Sequence, residues 1–85
     1  MQRHYLADVW LVQGDMALAR GNFGAAAVAL DRAEAVYREV EERLYLAWVY
    51  LRQAELRLRV GAYEEARGLY ERLVSAEDGE PAGQQ

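Results

Sequence analysis

The chain of 85 residues has no cysteine, no lysine and no threonine. It has a single histidine (His4), a single serine (Ser75) and a single proline (Pro81). Each shortage excludes something. Without cysteine there is neither a disulfide scaffold nor a thiolate metal site, which is compatible with a cytoplasmic protein. The catalytic inventory is nearly empty. His4 stands near the N-terminus and Ser75 just ahead of the C-terminal stretch, with no base or nucleophile fixed beside either. Gly21 and Gly24 lack the spacing, the lysine and the preceding strand of a phosphate-cradling loop. The acidic run "EVEER" (residues 39–43) points adjacent carboxylates in different directions on a helix. It reads as a solvated face and not as a metal site. The expectation is therefore no enzyme, no cofactor and no metal.

Excess positive charge is also missing. The net charge is −4 and the isoelectric point about 4.9, which argues against a nucleic-acid partner. All ten basic residues are arginine, read here as compositional bias. No apolar run approaches the roughly 18 residues needed to span a bilayer. The opening "MQRHYLADVW" lacks the basic, apolar and small regions of a signal peptide. These absences predict a cytoplasmic protein with no membrane partner.

What the chain has is helical periodicity. Hydrophobic residues make up 53% of it, so a core is affordable despite the short length. From about residue 3 to 20, Leu6, Val9, Trp10, Ala17 and Leu18 recur in steps that place them on one helix face. Gly21-Asn22 ends that pattern with a pair suited to a left-handed C-cap. A second pattern, about 23–40, carries Ala26, Leu30, Ala33 and Tyr37. A third, about 43–60, carries Ala47, Tyr50, Leu51, Ala54 and Leu58, and Gly61 punctuates it. A fourth, about 63–76, carries Ala66, Leu69, Tyr70 and Leu73. Residues 77–85, rich in Gly, Gln and acid, read as a disordered tail. No strand alternation occurs, so the expected class is all-α. One boundary is poorly marked, because residues 37–48 contain no Gly, Pro, Asn or Ser. The alternative is that the second and third helices fuse into one rod of about 38 residues, about 57 Å long, in a swapped dimer.

A shift of 40 positions aligns the chain with itself. Trp10 meets Tyr50, Gly14 meets Ala54, Leu18 meets Leu58, Gly21 meets Gly61 and Phe23 meets Tyr63. Ala26 meets Ala66, Leu30 meets Tyr70, Arg32 meets Arg72 and Ala33 meets Leu73. Size class holds throughout, small residues included, as a repeated helix pair requires. Gly14, Ala54, Ala26 and Ala66 let paired helices approach. Gly21 and Gly61 turn the chain, and Phe23 and Tyr63 pin the start of each second helix.

In this order and spacing the residues resemble the tetratricopeptide repeat. Trp10, Gly14, Gly21, Phe23, Ala26, Leu30 and Ala33 match its pattern. Tyr50, Ala54, Gly61, Tyr63, Ala66 and Tyr70 match it again, with Leu73 in place of the last alanine. The repeats cover about 7–40 and 47–80 of a helical domain at residues 1–76. The period of 40 departs from the usual 34 residues, with the extra six placed around residues 40–45. It looks like longer-period variants in bacterial regulators. The helix-ending proline is absent too, with Arg38 and Asp78 in its place.

The resemblance implies two antiparallel helix-turn-helix repeats, a fragment of an α-solenoid. It implies a protein-interaction module that binds a peptide or helical segment in a groove lined by the first helix of each repeat. By position that groove carries Asp8, Leu11, Asp15 and Leu18, then Trp48, Leu51, Glu55 and Arg59. Leu11, Asp15, Leu51 and Glu55 replace the Lys and Asn of carboxylate-clamping members, so no such clamp is expected. An apolar strip edged with acid would suit an amphipathic or basic segment, against the plainer reading of a solvated face. Two repeats without a capping helix also leave the last helix uncovered, with Leu69 and Leu73 as the expected oligomer face. A homo-oligomerisation module, or an excerpt from a longer regulatory array, are the other readings.

Overall fold

The computed structural model describes the backbone of residues 2–78 and the side chains of residues 5–75. The described chain is all-α: α1 (Gln2–Ala19), α2 (Phe23–Glu39), α3 (Arg43–Arg59) and α4 (Tyr63–Asp78). The last helix thus takes in residues 77 and 78, placed in the tail by sequence. The remainder of that tail, 79–85, lies outside the described residues. No strand is found among the described residues, and no helix there is long and apolar enough to cross a membrane.

Connections of three residues return each helix antiparallel to the one before it. All three turns have one construction. The first residue past the C-cap is left-handed: Gly21 at φ 79°, Glu41 at φ 57° and Gly61 at φ 82°. Its N–H donates to a carbonyl three residues back, and the next N–H to one five residues back. The pairs are Gly21 to Leu18 and Asn22 to Ala17, at 3.0 and 2.9 Å. Glu41 and Glu42 bond Arg38 and Tyr37 at 3.2 and 3.0 Å, and Gly61 and Ala62 bond Leu58 and Arg57 at 3.1 and 2.8 Å. This is the Schellman arrangement, which satisfies carbonyls that a helix end leaves orphaned. Asn22, Glu42 and Ala62 then start the next helix at once, accepting from Ala26, Leu46 and Ala66 at 3.0, 2.9 and 3.0 Å.

The poorly marked boundary is therefore a real break, and α2 and α3 are not one rod. Glu41 adopts the left-handed conformation without being glycine, at a cost of roughly 1–2 kcal/mol. Packing of α3 back onto α2 compensates for it. The 40-residue period consists of two 17-residue helices and two three-residue turns. The connection at residues 40–42 is no longer than the other two.

The core has two parts. Ala7 and Leu11 of α1, Leu30, Ala33 and Tyr37 of α2 and Val49 of α3 form the larger one. Leu18, Ala26 and Leu56 form the smaller, edged by Ala17, Phe23 and Ala27. Full burial of a side chain such as Leu30 stabilises by about 1.5–3 kcal/mol. Gly14 explains its own presence: a Cβ there would stand 2.7 Å from the Leu30 Cδ2 atom. The repeat is visible in the packing, since Arg32 covers the Trp10 ring at 4.7 Å and Arg72 covers Tyr50 at 5.5 Å.

The α1 stripe differs from expectation. Ala7, Leu11, Gly14 and Leu18 are buried, whereas Leu6 is exposed and Val9 and Trp10 half-buried. In α3 the buried set is Val49, Tyr50, Gln53, Ala54 and Leu56, with Leu51 and Leu58 exposed. The cause is that α3 packs on two sides, against α2 and against α4. The whole is a thin slab of 42 × 34 × 14 Å, which leaves helix faces open at both ends.

Candidate protein-interaction site

The α2–α3 junction shows how one hairpin receives the next helix. Leu56 seats between Leu18, Phe23, Ala26 and Ala27. One turn away the Gln53 amide donates to Asp31 Oδ1 at 3.2 Å and Glu34 Oε1 at 3.0 Å. Arg38 bridges Glu34 Oε2 (2.7 Å) and the Tyr50 hydroxyl (2.7 Å). The Glu34 carboxylate holds the Arg38 guanidinium above its ordinary pKa. At the far end Tyr45 stacks on Tyr37 at 5.4 Å, and at the opposite end Arg59 lies over Phe23 at 5.3 Å. Beneath this junction the Tyr37 hydroxyl donates to Asp8 at 2.5 Å. Burial first, and Asp8 second, push its pKa well above 10.

The same seat exists on the second hairpin and is uncovered among the described residues. Leu58, Tyr63, Ala66, Arg67, Tyr70 and Val74 line a groove of about 550 Å³ on the outer face of α4. Glu64 and Glu65 in the first turn of α4 complement its helix dipole. Arg57 of α3 fixes the start of α4 through Glu65 at 3.0 Å. Ala66 is buried, but Tyr63 is 67% and Val74 60% exposed. Leu69 and Leu73, the residues expected here, are half-buried instead. Leu73 turns toward α3, where it shares a small hollow of about 230 Å³ with Leu44, Ala47, Trp48 and Leu51. Sequence reasoning missed Tyr63 and Val74. Tyr63 was assigned the pinning role of Phe23, which needs a third helix to complete it. Val74 escaped because its counterpart Glu34 is polar.

The expected groove between first helices divides three ways. Asp15, Leu18, Glu55 and Arg59 do line one depression between α1 and α3, about 270 Å³ in volume, together with Arg52. Arg52 pairs with Asp15 at 2.8 Å and with Glu55 at 3.7 Å. The acid expected to attract a basic segment is thus engaged internally. Trp48 and Leu51 lie at the hollow beside Leu73, and Trp48 stacks on Tyr45 at 6.2 Å. Asp8 serves Tyr37, while Leu11 is buried in the core and offers no groove floor. The signal for Arg52 was legible, since it lies between two acidic positions one repeat apart.

Of the two residues weighed for catalysis, the His4 side chain lies outside the described residues. Ser75 is exposed on the rim of the α4 groove. No group of three His, Cys, Asp or Glu able to hold a metal occurs among the described residues. No family, curated protein or solved structure matches the chain.

Proposed function

We propose that the chain is a non-catalytic protein-interaction module of the tetratricopeptide type, acting in the cytoplasm, whose docking surface is the outer face of α4. One observation carries this reading. The groove of Leu58, Tyr63, Ala66 and Tyr70 is the counterpart of the seat that Leu56 fills in the first hairpin. An exposed apolar surface of this shape suits an amphipathic helix that lays one leucine-bearing stripe into it. The α1–α3 groove is the weaker site, because its charges already neutralise one another.

The test uses a labelled peptide of residues 43–60, the α3 segment that occupies the equivalent seat. Saturable binding to the whole chain, abolished by Tyr70→Glu with Val74→Glu and unchanged by Trp48→Ala, is the expected result. No binding, or binding lost only on Trp48→Ala, would overturn it.

A further inference from the structure

The groove on α4 has a complement on the same molecule. Subtract 40 from five of the residues by which α3 docks on α2, and Tyr45, Leu46, Val49, Gln53 and Leu56 become Tyr5, Leu6, Val9, Gln13 and Met16, whereas Tyr50 and Arg59, which also meet α2, become Trp10 and Ala19. The first four pairs are identical and the fifth exchanges leucine for methionine. These α1 residues are not needed inside their own hairpin. Tyr5, Leu6 and Met16 are exposed, and Tyr5, Val9 and Gln13 border an apolar hollow with Val12 and Asp8. Elsewhere along the first helices the match loosens: Asp8 meets Trp48, Val12 meets Arg52 and Ala17 meets Arg57. Ala7, Leu11 and Leu18 also meet identical residues (Ala47, Leu51 and Leu58) but are buried; among the exposed positions of α1, identity falls on Tyr5, Leu6 and Gln13 of the junction face.

We infer that the occupant of the α4 groove is α1 of a second copy of this chain, stacked head to tail. This inference rests on the reading of α4 as a docking surface. The junction repeats the α2–α3 geometry at the next step of the 40-residue period. Met16 of the incoming copy takes the place of Leu56, entering between Leu58, Tyr63 and Ala66. A thioether chain adapts to the bulkier Arg67 and Tyr70 that stand where Ala27 and Leu30 do. Arg67 can move aside, since it is exposed and its ion pairs among the described residues, to Glu64 and Glu71, are long at 3.4 and 3.9 Å. Gln13 reaches Glu71, the counterpart of Asp31, as Gln53 reaches Asp31. Glu77 stands in place of Tyr37, so the aromatic stack at the far end is not reproduced. The junction is accordingly weaker than its internal model, and assembly depends on concentration.

The two surfaces differ, so the contact is heterologous and leaves a free head and a free tail on every dimer. That property gives a test that other contacts fail. A head variant (Leu6→Glu with Val9→Glu) and a tail variant (Tyr70→Glu with Val74→Glu) are studied by sedimentation velocity alone and mixed. Circular dichroism confirms that each is helical. The wild-type chain is expected to grow beyond a dimer as concentration rises, and each variant alone to stay monomeric. An equimolar mixture should give a dimer and stop there, joining the intact head of one variant to the intact tail of the other. A mixture that stays monomeric, or a head variant that still dimerises alone, overturns the proposal. A strictly monomeric wild-type chain overturns it too. In that case saturable binding of the 43–60 peptide keeps the docking reading, and absence of binding ends both.

Discussion

The two hairpins share one design, but among the described residues only the first is covered by a following helix. In α1–α2, Leu30, Ala33 and Tyr37 are fully buried, and Phe23 is half-covered because α3 closes over it. In α3–α4 the counterparts Tyr63 and Tyr70 face outward, since no described helix follows α4. The difference lies in what comes next along the chain, not in the hairpins themselves. A repeat unit finishes its core with its neighbour's residues, so equal sequence positions have unequal burial.

The largest break in this comparison is a matched pair of truncations. Leu30→Ala removes a fully buried side chain and should cost about 2–5 kcal/mol in urea unfolding. Tyr70→Ala, at the same repeat position, should cost about 1 kcal/mol or less at monomeric concentration. Equal costs would show that α4 is covered in solution. Next in size is Gly14→Ala. Helix propensity favours alanine by about 1 kcal/mol, yet the new Cβ would stand 2.7 Å from Cδ2 of the fully buried Leu30. Overpacking should win, with a net loss of about 1–3 kcal/mol. The reverse change in the second copy, Ala54→Gly, should lose only about 1 kcal/mol.

Tyr37→Phe deletes the hydroxyl bound to Asp8 and should cost about 1–2 kcal/mol. It also has a pH signature. The folded state raises the Tyr37 pKa, so its contribution is complete below the unfolded value near 10 and declines as pH rises above it. Wild-type stability should therefore fall more steeply above about pH 10 than that of Tyr37→Phe. Parallel profiles would dissociate Tyr37 from the alkaline limb. The smallest expected effect is a gain. Glu41→Gly relieves the one non-glycine left-handed turn and should stabilise by about 0.5–1 kcal/mol. Gly21→Ala and Gly61→Ala should lose about 1 kcal/mol each. A loss at Glu41→Gly would mean that its side chain matters more than its backbone.

Much of the fold was legible. Helix starts at 23 and 63 follow from the glycine turns and their 40-residue spacing. The break at residues 40–42 was not locally marked, because Glu41 meets a tertiary demand with no local signature. The α1 stripe was misphased for a related reason. Ala7 and Gly14 are buried by close helix approach, and small residues carry little hydrophobic signal. Leu6 and Val9 carry a strong one, yet face away from the hairpin core. In a stacking repeat the apolar pattern sums two faces, and periodicity alone does not separate them. The candidate site suffered the same ambiguity. Leu69 and Leu73 were chosen as the open face by hydrophobicity, while the helix turns Tyr63, Tyr70 and Val74 outward.

On the proposed stacking, the open face of α4 and the open face of α1 are two halves of one junction. Amide chemical shifts across a dilution series test it directly. Residues 63–75 and residues 5–16 should shift together along one binding curve, while α2 and the buried side of α3 stay fixed. Shifts confined to one of the two faces, or following two different curves, would contradict it.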